Sequence, residues 1–575
     1  MATFSGSVTQ NSAVFPIDLA GSTNTVFAIS NPTNNVSYFT LETTRNSDGY
    51  YNNQPKNTQG TFTLGTGLSE LLQSDYISSV IVQPGGGNLT FVNTNYISGS
   101  TLLLRGTGGN PPTLPFGTTW LTSNAGTSNT SSITLPLSVT GTYSTTVNWG
   151  DGTYTDISSS TQSTHLFPVS GTYYVYATGP TYKGFRFNNG GDRLKLLNIS
   201  SWGNLDIDSD SAFYGCSNLT STAGDAPIIS TTSLSQTFRS CSLFNGSIGN
   251  WNLPNVTNFS RMFQLCYAFD QNLGSWNMSK ATDLTYMFLG ANLFTNSNSP
   301  SLNSWNVSNV INLTETFRGT SFNQNIGSWD VSKVTNMFGL FYQSNFNNGG
   351  SPNINNWNTA NVTDLTATFA SFSASTSAII GPIKYPFNPF NQPLDKWNTS
   401  KVTTFFQTFA YNNAFNQNIG SWNTSAATAM NLMFFQSTAF NNGGSQSIGN
   451  WDVSKVTNFS SSFMSASVFN QPIGTWNVSS STNMGHMFAN ATSFDQNLGS
   501  WDVRNVTRMN AMFDQVTLST ANYDALLNGW YSLPSLKTNV VFSGGNSKYS
   551  SAASASRAGL ISTYSWTITD GGLQS

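Results

Sequence analysis

Ten tryptophans mark out the second half of this chain at near-regular intervals: Trp251, Trp276, Trp305, Trp329, Trp357, Trp397, Trp422, Trp451, Trp476 and Trp501. A phenylalanine follows each of them twelve residues later, from Phe263 to Phe513, and an Asn or Asp follows each directly. The basic step is 25 residues, and steps of 28, 29 and 40 gain their extra length only after the phenylalanine. A fixed half joined to an elastic half is the pattern of a solenoid. One such coil cannot bury its own apolar side and must stack on neighbours built the same way.

Counted from each tryptophan, Ile or Leu stands at −3 (Ile248, Leu273, Ile473), Val mostly at +5 (Val256, Val310, Val506), and Phe, Leu or Met at +8 (Phe259, Leu284, Met509). The alternation around Ile-Gly-x-Trp-Asn-Val predicts a strand. The close spacing from Met484 to Met487 and Phe488 predicts a short helix or 3₁₀ turn. Each repeat is therefore expected as strand, tight turn and short helix. Asn and Thr after the tryptophan are expected to hydrogen-bond backbone at the bends. Trp202 lies 49 residues before Trp251, which reads as two coils with one tryptophan missing. Inserts at 295–300, 346–351 and 440–445, and the largest at Ser371–Tyr385, are expected to loop out on one face.

Residues 1–118 carry no repeat. Alternating runs at Val14–Ile17, Thr25–Ile29, Tyr38–Glu42, Ile77–Val82, Leu89–Val92 and Leu102–Arg105, separated by Asn/Gly/Ser clusters, predict a small β domain. Leu68–Gln73 reads as a short helical patch, and Gly106–Ser131 as a linker. Between 132 and 180, Ile133, Leu135, Leu137 and Val139 alternate as a half-buried strand. A strand then runs into the Asp-Gly turn of Val147–Thr153, and His165-Leu-Phe and Gly171-Thr-Tyr-Tyr-Val-Tyr add two more. Asp151 is expected to form the turn. No neighbouring carboxylates complete an oxygen cage for calcium around it.

The WGDGT turn, the His-aromatic pair and GTYYVY together resemble the PKD-like immunoglobulin-type sandwich, with His165-Leu166-Phe167 departing from the usual HTY of that family. Repeats such as FNQNIGSWDVSKVTNMFGLF (322–341), the approach at 195–220 and the close at 518–572 resemble the BspA-like leucine-rich repeats of bacterial surface proteins. The resemblance covers about residues 130–575. It implies a multidomain chain with four parts: a β-rich anchoring or assembly domain at 1–118, a linker plus PKD-like β-sandwich at 119–182, an α/β leucine-rich-repeat-type solenoid at 183–516, and a C-terminal cap at 517–575. In the cap, Tyr523–Tyr531 and Ala552–Ile561 read as helices and Ser565–Thr569 as a strand. A cap is needed because the last coil would otherwise expose its ladders.

Composition narrows the function classes. Charged residues are only 8% while aromatics reach 13%, which is the reverse of a disordered chain. A formal net charge of −3 with 21 Lys and Arg argues against nucleic acid as a partner. No run of 18 apolar residues exists to span a membrane, and the opening MATFSGSVTQNSAVF lacks the basic and apolar regions of a signal peptide. Cys216, Cys241 and Cys266 stand 25 residues apart, as a ladder of small buried side chains or as partners for a disulfide between coils.

No catalytic motif is present. His165 and His486 are the only histidines, and Asp330, Asp452 and Asp502 hold the same bend position in separated repeats. No catalytic, cofactor-binding or metal site is expected. N-x-S/T triplets at Asn255, Asn306, Asn361, Asn398 and Asn477 follow from the repeat grammar itself. The expectation is a non-enzymatic, surface-displayed structural or adhesion protein. The first reading is a virion fibre or decoration protein, docking to other virion proteins through residues 1–118, with homo-oligomerisation there and a cell-surface glycan or protein as target. A bacterial-type cell-surface adhesin is the alternative, and a glycan-degrading enzyme is the third reading.

Overall fold

The computed structural model describes residues 115–371 and 388–575, together with the backbone of nine strands between Thr3 and Thr107. The chain divides into two compact units, Met1–Thr113 and Leu114–Ser575.

In the first unit the strands are β1 (Thr3–Phe4), β2 (Val14–Asp18), β3 (Thr25–Ile29), β4 (Tyr38–Thr43), β5 (Gln59–Leu64), β6 (Leu68–Gln73), β7 (Ser79–Val82), β8 (Leu89–Asn93) and β9 (Thr101–Thr107). They form three small sheets, ordered β1-β3-β8-β7, β2-β9-β4 and β5-β6. The helix expected at Leu68–Gln73 is instead β6, antiparallel to β5 with Leu64 opposite Leu68. Six residues are too few to hold a helix by propensity, so pairing with a neighbour decides.

The second unit begins inside the expected linker. Strand β10 (Phe116–Leu121) lies between β15 (Thr172–Lys183) and β16 (Leu196–Ser201), antiparallel to both. Phe116, Thr118 and Trp120 are buried at 2%, 3% and 0% exposure. Gly, Pro and Asn on either side hid this period-2 run from a composition reading. The loop after β10 is tied down as well. Lys195 Nζ, wholly buried, donates to the carbonyls of Asn129 (2.7 Å) and Ser132 (2.9 Å). Asp192, also buried and 3.9 Å from Lys195, accepts from the N–H groups of Ser128 (2.9 Å) and Thr134 (2.7 Å).

The remaining strands of this region are β11 (Ser132–Thr134), β12 (Tyr143–Asn148), β13 (Tyr154–Ile157) and β14 (Thr164–Leu166). Strands β13, β12, β15, β10 and β16 pair antiparallel in one sheet, while β11 and β14 pair separately. The strand expected through Val139 stops early: Ile133 and Leu135 are buried, but Val139 is 90% exposed. Gly152 takes the positive φ that the Asp-Gly turn requires, at 91°.

This sheet passes directly into the repeats. Strands β17 (Leu205–Ile207), β18 (Thr220–Ser221) and β19 (Ile228–Ile229) add in parallel, β17 to the end of β15, β18 to β16, and β19 to β17. One apolar core runs from Phe116 to Trp566. From Ser233 onward, successive coils meet at single parallel bridges: Ser233 to Asn258, Asn258 to Asp283, and so on to Arg508. Each bridge sits seven residues after the tryptophan, not at it as the alternation predicted.

The expected helix is absent; overlapping turns take its place. In the coil of Trp251, the N–H groups of Met262, Gln264 and Cys266 donate back to the carbonyls of Phe259, Arg261 and Phe263, three residues earlier. The intervening peptides point along the stack, with the N–H groups of Phe259, Arg261, Phe263 and Leu265 donating to Asp283, Thr285, Met287 and Leu289 of the next coil. Peptides thus alternate between a turn bond and an inter-coil bond. That alternation forces positive φ at +10 and +14, as at Arg261 (58°) and Leu265 (61°) or Tyr286 (59°) and Gly290 (71°). The 3- and 4-residue apolar spacing is real, but a turn ladder satisfies it as well as a helix does.

Inside, the side chains stack in columns. The +12 phenylalanines lie nearly parallel with centroids 5.4–5.9 Å apart. A second column, Phe244, Phe269, Phe294, Phe322, Phe346, Phe390, Phe415, Phe440, Phe469 and Phe494, stacks at 5.9–6.2 Å. Phe390 packs on Phe369 at 3.9 Å, so the longest insert leaves both columns in register. That insert, beyond Ser371, lies outside the described residues.

The tryptophans are fixed by their polar edge as well as by area. Trp276 Nε1 donates to the carbonyl of Ile248 (2.9 Å), Trp305 to Leu273 (2.9 Å) and Trp501 to Ile473 (3.0 Å), each the −3 residue of the coil before. The coil of Phe238, which has no tryptophan, stands between those of Phe213 and Phe263 as expected, and Trp202 meets Trp251 edge to face at 5.2 Å. The short inserts share one plug. Asn296, Asn348 and Asn442 are buried with positive φ, and each accepts from the −3 N–H of the preceding coil (Leu273, Ile326, Ile419; 2.8–2.9 Å).

The stack closes on α1 (Thr520–Tyr531), β20 (Val541–Ser543), α2 (Ser554–Tyr564) and β21 (Thr567–Thr569). Trp530 of α1 continues the indole ladder by donating to Leu498 (3.0 Å), and Phe542 of β20 takes the next bridge after Met509.

Candidate functional site: the outer face of the turn ladder

The turn ladder has an inner and an outer side. Positions +8, +11 and +12 point into the core, as Phe259, Met262 and Phe263 do, each with no exposure. Positions +10 and +13 hold most of the partly exposed side chains. Position +12 is Phe in all ten tryptophan coils. Position +10 carries nine residue types: Arg261, Tyr286, Glu315, Gly339, Ala367, Gln407, Leu432, Ser461, His486 and Ala511. Packing therefore dictates the inner column and leaves the outer one free to vary.

Along this face the chemistry changes. At its start Arg239 lies over the Tyr214 ring and Arg261 over the Tyr286 ring, each guanidinium 4.8 Å from the ring centroid. Arg318 lies over Tyr342 at 4.8 Å and pairs with Glu315 at 2.8 Å. Burial pushes the Tyr342 hydroxyl up to about 12, against the pull of the Arg318 charge. In the middle, Ala367, Ala370 and Ala410 form an apolar cluster distinct from the main core, with Tyr342, Tyr411 and Phe435 packed around it. Towards the end come His486 and Asn510, whose side chains meet at 3.0 Å.

The residues singled out by sequence are mostly structural. Asp151 accepts from the Thr153 N–H (3.0 Å) and hydroxyl (2.6 Å), as a turn-forming Asp does. It also meets His165 Nε2 at 2.8 Å, a contact the sequence reading missed. Burial alone would raise the Asp151 carboxyl, but the bonds from Thr153 and His165 hold it below the usual range. His165 itself is stacked on Trp149 (4.6 Å, 11°).

Asp330, Asp452 and Asp502 each accept from the N–H two residues on, at 3.0, 3.0 and 3.2 Å, and these local bonds lower their carboxyls. They sit on separated coils and do not converge. Asn306, Asn398 and Asn477 make the same turn, the bend role expected for the residue after tryptophan. Cys216, Cys241 and Cys266 are buried free thiols rather than a disulfide. Cys241 and Cys266 donate to the carbonyls of Phe213 (3.0 Å) and Phe238 (2.8 Å), and burial pushes both thiols up. Among the described residues no group of three His, Cys, Asp or Glu side chains is arranged to hold a metal, and no helix is long and apolar enough to cross a membrane.

The second column of phenylalanines escaped the sequence reading, although each is followed by Asn, Asp or Thr in motifs such as FNQ and FDQ. That following side chain bonds the next coil: Asn391 Oδ1 accepts from the Asn416 N–H (3.0 Å) and Gln417 Nε2 (2.9 Å).

Fold and face together define a β-rich repeat protein whose variable side chains lie on one ladder. The chain belongs to the family described as Mycoplasma protein of unknown function, DUF285, whose model matches residues 207–300, 296–381, 383–446 and 445–530. These matches tile the stack and are consistent with a BspA-like repeat protein. Neither the curated proteins nor the solved structures provide a match.

Proposed function

We propose that this is a non-enzymatic, surface-displayed structural or adhesion protein. In this reading the repeats are a leucine-rich-repeat-type solenoid, residues 119–182 carry a PKD-like sandwich, and the ladder face is the recognition surface. One observation carries it: outward positions vary from coil to coil while inward positions repeat. Freedom from packing permits that variation, and what fills it includes Arg side chains laid on Tyr rings at three places. Aromatic and Arg side chains on the varied face are the residue types that anchor interfaces.

A virion fibre or decoration protein, assembled through residues 1–118, is the first form of the reading, with a cell-surface glycan or protein as target. The family description, which names Mycoplasma, favours a second form, a bacterial cell-surface adhesin. Binding of the full chain to host-cell and glycan panels tests the common core. Phe406, at +9, and Phe435 are both partly exposed on the ladder, and Phe406→Ser with Phe435→Ser should weaken binding at least tenfold with the unfolding midpoint nearly kept. Unchanged binding would remove the ladder face from the reading. Mass photometry of the full chain then separates the forms, a defined oligomer favouring the fibre and a monomer the adhesin.

A further inference from the structure

Four consecutive coils open the ladder face with Tyr214, Arg239, Arg261 and Tyr286 in succession. Inter-coil bonds hold them in register: Gly215 N–H to the Arg239 carbonyl (2.8 Å), Phe238 N–H to Met262 (3.0 Å) and Arg261 N–H to Thr285 (2.9 Å). The two arginines therefore stand on adjacent coils, three ladder positions apart, Arg239 laid on the tyrosine of the coil before and Arg261 on that of the coil after. A third, Arg193, packs over Gly215, where a Cβ would come within 2.9 Å of its Nε.

Of the other described arginines, all but Arg508 are paired. Among the described residues Arg186, Arg318, Arg504 and Arg557 each hold a carboxylate. Arg193, Arg239 and Arg261 hold none, and they fall on the first coils of the ladder face in a chain with few charges. Arg239 donates Nη1 to Gln236 Oε1 (2.7 Å), while its buried Nε has no partner. Like charges gathered without a counter-charge repel one another, and stacking on tyrosine fixes the guanidinium planes while leaving N–H edges for an oxyanion.

We infer that this cluster binds the carboxylate or sulfate groups of an acidic polysaccharide. The inference rests on the ladder face being the recognition surface and names what its first coils take. A polysaccharide fits better than a nucleic acid because a chain with net charge −3 lacks the basic excess that a phosphate backbone selects.

The test measures binding of the full chain to a hyaluronan oligosaccharide (carboxylate only), a heparin oligosaccharide (sulfated), dextran and a single-stranded oligonucleotide, at low and high salt. Retention of one or both acidic oligosaccharides but not dextran is expected, and the choice between them tells carboxylate from sulfate. R239Q with R261Q should weaken that binding at least tenfold, R239K with R261K should weaken it less, and both should keep the unfolding midpoint. Equal binding of dextran, tighter binding of the oligonucleotide, no acidic binding, or indifference to R239Q with R261Q would each overturn the inference. If Phe406→Ser with Phe435→Ser abolishes cell binding while the arginine variant does not, the anion site fails and the ladder-face reading survives. If neither variant matters, both fail.

Discussion

Phe434 and Phe435 are neighbours in sequence and opposites in structure. Phe434 lies in the inner column, unexposed, between Phe409 and Phe463 at 5.5 Å on either side. Phe435 points to the ladder face, partly exposed, beside Tyr411 at 5.1 Å. One residue type thus serves two ends, and only position in the coil tells them apart. The inner column specifies the fold, since every coil must present the same shape to the next. The face is free of that constraint.

The largest effect should come from breaking the column. Phe434→Ala removes a fully buried ring between two others, and the neighbouring coils cannot close over the gap. Such truncations cost about 3–5 kcal/mol, and chemical denaturation should show it. Phe435→Ala should cost about 1 kcal/mol or less while reducing ligand binding. Equal losses of stability would mean that the two sides are energetically alike, and the contrast would collapse.

Charge sharpens the same comparison. Asp192 and Lys195 are wholly buried beneath the first coils, whereas Arg186 and Asp210 pair with about a third of each side chain exposed. Asp192→Asn strands a buried ammonium and should cost about 3–5 kcal/mol. Asp210→Asn should cost about 0–1 kcal/mol. Burial works to raise the Asp192 carboxyl, but bonds from Ser128 and Thr134 and the Lys195 charge bring it below its ordinary value. Its folded value is therefore below its unfolded one. The stability it contributes is present above the unfolded value of about 3.9 and is lost as pH falls through the lower folded value. Acid unfolding of the wild type should steepen below about pH 4, and the Asn variant should lose that component.

A smaller difference separates two tryptophans of the same column. Trp276 Nε1 donates to Ile248, whereas the buried Trp251 Nε1 has no partner. Tryptophan to phenylalanine leaves a comparable gap at either site. The extra cost at Trp276 isolates one buried hydrogen bond, about 1 kcal/mol. Equal costs would show that the indole ladder is held by area alone.

These contrasts also explain what the sequence made legible. The stack was readable because tryptophan and phenylalanine recur at a fixed offset, and the turn role of the residue after tryptophan followed from side-chain chemistry. The turn ladder was not readable. Met484, Met487 and Phe488 satisfy a helical spacing, and the positive φ at His486 (57°) leaves no mark because a histidine, not a glycine, holds it. Strand β10 was hidden by its Gly- and Pro-rich flanks. The unpaired arginines were invisible for a different reason: Arg193, Arg239 and Arg261 come onto neighbouring coils only once the coils are stacked in register.

The left-handed positions give the smallest test. Arg261, Leu432, Ser461 and Gln515 all hold φ between 55° and 60°, a conformation that disfavours any residue with a Cβ. Inter-coil bonds on both sides impose it at Arg261, Leu432 and Ser461, and at Gln515 on the side of the preceding coil. At Gln515, which is exposed, glycine relieves the strain and removes little packing, at the cost of a more flexible unfolded chain. Gln515→Gly should therefore be neutral or stabilising by up to about 1 kcal/mol. Gly319→Ala, at φ 69°, should destabilise by about 1 kcal/mol by the same reasoning. Opposite signs at equivalent positions of two coils would show that the ladder, and not the identity of the residue, sets the backbone.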